Sequence, residues 1–328
     1  MRPFRFERAA DADQALALMS AEPEARYLGG GTNLVDLMRL GVERPGVLVD
    51  VTRLGGHDRI EDIEGGGLRI GSAVSNSELA ADLRVRDRYP VLSEAVLHGA
   101  SGQLRNLATV GGNLLQRTRC AYFTDVTKPC NKRQPGSGCP AVAGHHHNHA
   151  ILGHSEACVA THPSDMAVAL TALGATVHVQ GRGGARTIPM PGLHRLPEDD
   201  PQRDTVLEPG ELISAVELAP PSGATARQRY RKVRERRSFA FALASVAVVL
   251  TLDGDTASDV RIALGAVAHV PWRATRAEDA LRGERITEQG VSAAAQAELD
   301  HARPLRDNGY KVELARNLIV STILELSA

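Results

Sequence analysis

The sequence predicts an α+β protein made of more than one structural unit, and three observations support this. A β-turn-α-β pattern fills the first fifty residues, strand-like and helix-like apolar runs alternate through the middle, and a hairpin followed by helices closes the 328-residue chain. With 43% apolar and 23% charged residues the chain is equipped to bury a full core. Its 38 Lys and Arg balance 39 Asp and Glu, which excludes a global field steering the molecule toward nucleic acid or an anionic membrane. No run of 18 apolar residues occurs, and "MRPFRFERAADADQALALM" lacks the apolar stretch of a signal peptide. The chain by itself is therefore expected in the cytoplasm, unless a partner carries it elsewhere after folding.

Taken in order, Asp11 is a suitable N-cap for an alanine-rich amphipathic helix over Asp13 to Met19. "ARYL" reads as a short strand, "GGGTN" as a turn, and "LVDLMRL" as a helix closed by Gly41. "GVLVDV", Gly46 to Val51, reads as a buried strand. From Gly67, "LRIGSAV" is strand-like, "SNSELAADLRV" a capped helix starting after Ser75, "YPVLSEAVLHGA" a second helix, and "ATVGGNLL" a glycine-broken apolar segment. Between Arg117 and Thr161 periodicity vanishes while Pro, Gly, Asn and His are dense, the mark of a functional or disordered insertion. "HPSDMAVALTALGATVHV" restores a helix, capped by the Ser164 hydroxyl, and then a strand from Ala175. Pro220 and Pro221 mark a joint, after which "LDGD" separates two β-rich runs and "GYKVELARNLIVSTILELS" is helical.

All four cysteines, Cys120, Cys130, Cys139 and Cys158, lie in the aperiodic segment with the spacing C-x9-C-x8-C-x18-C. Disulfides chiefly serve small secreted domains that lack a core, so four thiols in one loop point instead to a shared ligand. Tetrahedral zinc and an iron–sulfur cluster both suit four thiolates. Zinc favours short C-x2-4-C knuckles, which are absent; the wide spacing suits a larger object, with Pro135, Gly136 and Gly138 turning the backbone around it. Zinc and disulfides remain open alternatives on spacing alone. His145, His146, His147 and His149 crowd the same loop, and with a full set of cysteines present they read as solvated loop residues.

Gly29, Gly30 and Gly31 stand between a strand and a helix, where a bare backbone approaches phosphate closely and helix-start N–H groups favour negative charge. A Rossmann fingerprint ending at Asp50 fails, because the third glycine of G-x-G-x-x-G is Leu34. Thr109, Gly111, Gly112 and Asn113 form a second such turn, and two turns suggest a ligand with two phosphates. Asp165 opens the helix after Ser164 and reads, by itself, as a dipole partner. The seven Arg and Lys between Arg227 and Arg237 suit a solvated face or a docking surface for an acidic partner.

"YLGGGTNLVDLMR", "ATVGGNLLQ", "THPSDMAVALTALGA" and "YRKVRERRSFAFALASVAV", in this order along the whole chain, resemble the FAD-binding subunit of the xanthine dehydrogenase and aldehyde oxidase family of molybdenum hydroxylases. The cysteine segment "RCAYFTDVTKPCNKRQPGSGCPA" resembles the insertion that carries a [4Fe-4S] cluster in the flavin subunit of periplasmic aldehyde oxidoreductases. The resemblance implies a vanillyl-alcohol-oxidase/PCMH-type FAD-binding fold of two subdomains, residues 1–55 and 56–222, the second holding the [4Fe-4S] loop 117–161, with a smaller C-terminal α+β domain over 223–328. It implies that Arg26, Tyr27, Leu28, Gly29, Gly30, Gly31, Thr32, Asn33 and Leu34 wrap the FAD pyrophosphate, with Thr109, Gly112 and Asn113 opposite. It further implies that Asp165 bonds the polar part of the cofactor, that Ile213 and Lys232 (or Arg231) lie near the flavin ring, and that Cys120, Cys130, Cys139 and Cys158 ligate the cluster. The implied role is electron transfer in a heterotrimer. A large molybdopterin subunit oxidises an aldehyde, a small [2Fe-2S] subunit passes electrons here, and FAD delivers them to an external acceptor, in the periplasm if a partner bears the export signal. A flavin subunit of a 4-hydroxybenzoyl-CoA reductase-like enzyme, a free-standing nicotinamide enzyme and a zinc-stabilised binding module are the alternatives.

Overall fold

The computed structural model describes residues 1–221 and 226–328, so the boundary expected at 222/223 lies outside the described residues. The first unit runs β1 (Arg5–Arg8), α1 (Ala12–Ala21), β2 (Ala25–Leu28), α2 (Leu34–Arg39), β3 (Val47–Asp50). β3 lies between β1 and β2 and is parallel to both, with Val47 opposite Arg5 on one side and Ala25 on the other. It is buried at every position, which is why "VLVD" is almost wholly apolar. Asp11 caps α1, its Oδ1 accepting from Gln14 N at 2.8 Å. β1 has no counterpart among the sequence expectations, because "RFER" is largely exposed and owes its strand form to pairing with β3.

The second unit contains β4 (Ile60–Asp62), β5 (Leu68–Gly71), α3 (Asn76–Ala81), α4 (Leu83–Arg88), α5 (Pro90–His98), α6 (Gly102–Leu107), α7 (Val110–Leu114), α8 (Ala121–Thr124), α9 (Asp165–Leu173), β6 (Thr176–Gly181), β7 (Gly184–Pro189) and β8 (Leu212–Leu218). Its strands form one antiparallel sheet in the order β4-β5-β8-β6-β7. The helix expected after Ser75 is in fact two. Ser75 and Glu78 form a capping box that starts α3, and the Asp82 carboxylate accepts from Arg84 N and Val85 N to begin α4 in a new direction. α9, capped by Ser164, is buried from Asp165 to Ala172 and forms the centre of the largest core.

The third unit runs β9 (Arg227–Val233), β10 (Ala244–Asp253), β11 (Thr256–Gly265), β12 (Trp272–Arg273), α10 (Thr275–Leu281), α11 (Glu288–Leu299), α12 (Tyr310–Ser327), with the antiparallel order β12-β11-β10-β9. β10 explains how it joins the second unit. Val246, Val248 and Leu250 enter the core beneath the helices, while Ala247 and Val249 enter the core around α9. One strand thus serves two cores, alternate residues going to opposite faces. Among the described residues no helix is long and apolar enough to cross a membrane.

Candidate functional site

The turn after β2 and the turn before α7 are pressed together. A Cβ on Gly30 would stand 1.6 Å from the Leu107 carbonyl oxygen, so only glycine permits this approach of two backbones. Gly31 has φ +73, a conformation glycine adopts without cost. Thr109 caps α7, its hydroxyl accepting from Gly112 N at 3.2 Å. Asn33 Oδ1 accepts from Arg117 N at 3.2 Å, while its buried Nδ2 has no partner among the described residues. Asn113 Oδ1 accepts from the Ser164 hydroxyl at 2.5 Å, tying the second turn to α9.

Cavities open on both sides of this seam. The first, 460 Å3, is lined by Arg26, Tyr27, Gly29, Leu34, Thr109 and Ile213; the second, 810 Å3, by Asn113, Asp165 and Lys232. Gly30, Gly31, Thr32, Asn33 and Gly112 border both. Each has the size of a small-molecule site, and together they form an extended trough pinched at the glycine turns. Leu28 lines neither cavity; it ends β2, its carbonyl accepting from Val51 N at 3.1 Å. Ile213 and Lys232, both expected near the flavin ring, lie on different cavities. The first cavity also has a wall with no sequence motif, residues Gln202, Arg203, Asp204 and Thr205, with Arg117 and Glu43 beside them.

The second cavity has a buried cation. Lys232 Nζ lies 2.7 Å from Asp165 Oδ2, their side chains 1% and 8% exposed, and it also donates to the His98 carbonyl at 3.1 Å. Tyr230 donates its hydroxyl to Asp165 Oδ1 at 2.5 Å. Burial first, and the Asp165 charge second, push the Tyr230 phenol well above its ordinary range, so it remains a donor. The rest of the basic run is mostly engaged within the chain: Arg229 pairs with Glu94 at 2.9 Å, and Arg229 and Arg231 both pair with Glu325. Phe239 and Phe241, 54% and 47% exposed, also line this cavity, and Arg119 stands over the Phe241 ring.

The four cysteines, far apart in sequence, line one small pocket with His149. All are free thiols, and His149 Nε2 lies 3.1 Å from Cys120 Sγ. Burial pushes Cys120 up to about 11 and Cys158 up to about 12, and it raises Cys139. Backbone N–H groups work in the opposite sense: those of Phe123 and Tyr122 point at Cys120, those of Val159, Ala141 and Val142 at Cys139, and that of Ala160 at Cys158. Among the described residues no group of three or more His, Cys, Asp or Glu is arranged to hold a single metal ion. His146 and His149, by contrast with the solvated reading, are buried, His146 with its Nδ1 3.0 Å from the Ala141 carbonyl oxygen.

Residues 2–221 match the FAD binding domain in molybdopterin dehydrogenase, and residues 217–326 match the CO dehydrogenase flavoprotein C-terminal domain. The chain is 48% identical over 329 residues to the aldehyde oxidoreductase FAD-binding subunit PaoB of Escherichia coli (strain K12), covering 100% of this chain and 99% of that protein. It is 27% identical over 326 residues to the carbon monoxide dehydrogenase medium chain of Hydrogenophaga pseudoflava, covering 97% and 96%. The solved carbon monoxide dehydrogenase of Hydrogenophaga pseudoflava superposes with a TM-score of 0.77 at 26% identity, over 98% of this chain and 96% of that one. Quinoline 2-oxidoreductase from Pseudomonas putida 86 shares the fold, with a TM-score of 0.75 at 24% identity over 99% and 97%. The two matched domains span nearly the whole chain, and the first of them places FAD on it. The chain accordingly belongs to the molybdenum hydroxylase family, as the FAD-binding medium subunit of an oxidoreductase.

Proposed function

We propose that this chain is the FAD- and [4Fe-4S]-binding electron-transfer subunit of a heterotrimeric, molybdenum-dependent aldehyde oxidoreductase. A large molybdopterin-binding subunit oxidises the aldehyde, a small [2Fe-2S] subunit passes the electrons to this chain, and an external acceptor removes them. The pair of cavities meeting at a double glycine seam carries this reading. An extended dinucleotide has a pyrophosphate at its middle, and the residues bordering both cavities are Gly30, Gly31, Thr32, Asn33, Gly112 and Gln116. Asn33 offers an unpartnered buried amide there, a donor without an acceptor among the described residues. The adenosine end then belongs on the Ile213 side and the flavin ring on the Lys232 side.

On this assignment Lys232, locked by Asp165, is a fixed positive charge at the ring end of the trough. Tyr230 holds the second carboxylate oxygen and so keeps that lysine oriented. When bound, FAD supplies electron exchange singly or in pairs, and an iron–sulfur cluster supplies single-electron exchange; the residues of the chain bind, orient and shield these groups. The cluster assignment is supported by the convergence of four free thiols on one pocket, with backbone N–H groups aimed at the sulfurs of Cys120, Cys139 and Cys158. The aldehyde assignment is supported by the full-length relative at 48% identity, named an aldehyde oxidoreductase subunit. The periplasm is its place if a partner carries an export signal, and the cytoplasm otherwise.

The test is chemical. Co-expression with both partner subunits and anaerobic purification give iron, acid-labile sulfide and FAD per chain, in wild type and in Cys139→Ser. Loss of about four irons and four sulfides with FAD kept is the expected result. Equal iron in the two proteins overturns the cluster, and a wild type without FAD overturns the whole reading.

A further inference from the structure

A partly buried ionic network joins the cysteine pocket to the first cavity, and no sequence motif or family assignment accounts for it. Lys132 lies between Cys130 and Cys139 and lines the cysteine pocket, its side chain only 1% exposed. Its ammonium is held from outside the loop: Nζ donates to Asp204 Oδ1 at 2.5 Å and to the Pro201 carbonyl at 2.6 Å. Asp204 lies in the wall of the first cavity, and its other oxygen accepts from Arg117 Nε at 2.9 Å. Arg117, three residues before Cys120, donates from Nη1 to Glu43 at 2.6 Å and from its backbone N to Asn33 of the glycine turn. His269 of the third unit stands 3.9 Å from the same Asp204 carboxylate.

Two cations and two carboxylates thus alternate along a path from one pocket to the other. The network is stiffest at its Lys132 end, where losing Asp204 would strand a buried ammonium, and the partly buried Arg117 and Glu43 are tied to that end through Asp204. Lys132 is placed by the loop that wraps the cysteine pocket, and Asp204 is placed by Lys132. The order of the dinucleotide cavity wall therefore depends on the order of the cysteine loop.

We propose that the Lys132–Asp204–Arg117 network couples the two sites, so that filling the cysteine pocket tightens FAD binding, with Lys132 and Asp204 acting as positioning residues for the cavity wall. The coupling rests on the [4Fe-4S] reading of the cysteines. It is reciprocal by thermodynamic linkage: bound FAD raises the affinity of the cysteine pocket for the cluster by the same factor, so at equilibrium more chelator is needed to strip it.

The experiment measures FAD dissociation constants by flavin fluorescence on the full-length chain, in a form reconstituted with iron and sulfide and in a chelator-stripped form. Iron content is determined alongside. Wild type is expected to bind FAD about tenfold more tightly when loaded, within the usual range of coupling between sites. In Lys132→Gln and in the near-isosteric Asp204→Asn that ratio collapses toward one, and in Lys132→Arg most of it is retained. A merely structural role would weaken FAD equally in both forms and leave the ratio intact, which would overturn the network's part. Equal affinity of loaded and stripped wild type overturns the coupling without recourse to any variant. A wild type that binds FAD but takes up no iron overturns the cluster reading and the coupling with it, and the iron analysis tells that case apart.

Discussion

Lys232→Met breaks the ion pair at the centre of the second cavity. The two side chains are 1% and 8% exposed and 2.7 Å apart, so the substitution leaves the Asp165 carboxylate in the interior with only the Tyr230 hydroxyl as a strong donor. Removing one partner of a buried pair costs about 3–5 kcal/mol; the surviving Tyr230 hydrogen bond places this case at the lower end, about 3 kcal/mol. That is a large share of the stability of a typical native protein, about 5–15 kcal/mol. Equilibrium urea unfolding near neutral pH reads it as a lowered midpoint with an unchanged slope. The double variant Lys232→Met with Asp165→Leu leaves no charge stranded and recovers more than half of the loss. A single variant within about 1 kcal/mol of wild type, or a double variant no better than the single, would refute the buried-pair account.

Gly30→Ala forces the two turns apart by about 2 Å to relieve the contact with the Leu107 carbonyl, costs about 1–3 kcal/mol, and lowers the flavin-to-protein absorbance ratio of the purified chain. Val248→Ala empties space on the helix side of β10 and costs about 2 kcal/mol in unfolding, with FAD content unchanged because the seam is not touched. Burial pushes the Lys311 ammonium from an ordinary 10.5 down to about 7. The unfolded chain keeps that proton up to its ordinary value, so between about pH 7 and pH 10.5 the unfolded state binds more protons and this group makes stability rise with pH. From pH 7 to pH 10 the urea midpoint of the wild type is therefore expected to rise relative to that of Lys311→Met, which lacks the titrating group.

Local chemistry made much of the fold legible. The caps Asp11, Ser75 and Ser164 act as their side chains predict, because capping depends on a few adjacent residues. The β2-turn-α2-β3 pattern and the β10–β11 hairpin carry their periodicity in the sequence. What stayed hidden is set by distant partners. β1 is a strand only through β3, and α6, with no buried residue, has no apolar stripe to reveal it. The break at Asp82 needs the competition between helix continuation and a cap, in which the carboxylate prevails. At the site, the glycines and Lys232 were readable as types, but their division between two cavities was not, since it depends on how α7 and α9 pack against the first unit. Asp204 and Lys132 had no signal at all: they are 72 positions apart, and each is ordinary until the other is beside it.

The structure of the chain with FAD bound, in its assembled complex, tests the central claim most directly. The account predicts the pyrophosphate at the seam, against Thr32, Asn33 and Gly112, with adenine toward Ile213 and the flavin ring toward Lys232. An FAD lying wholly within one cavity, with its pyrophosphate away from the two glycine turns, would contradict it.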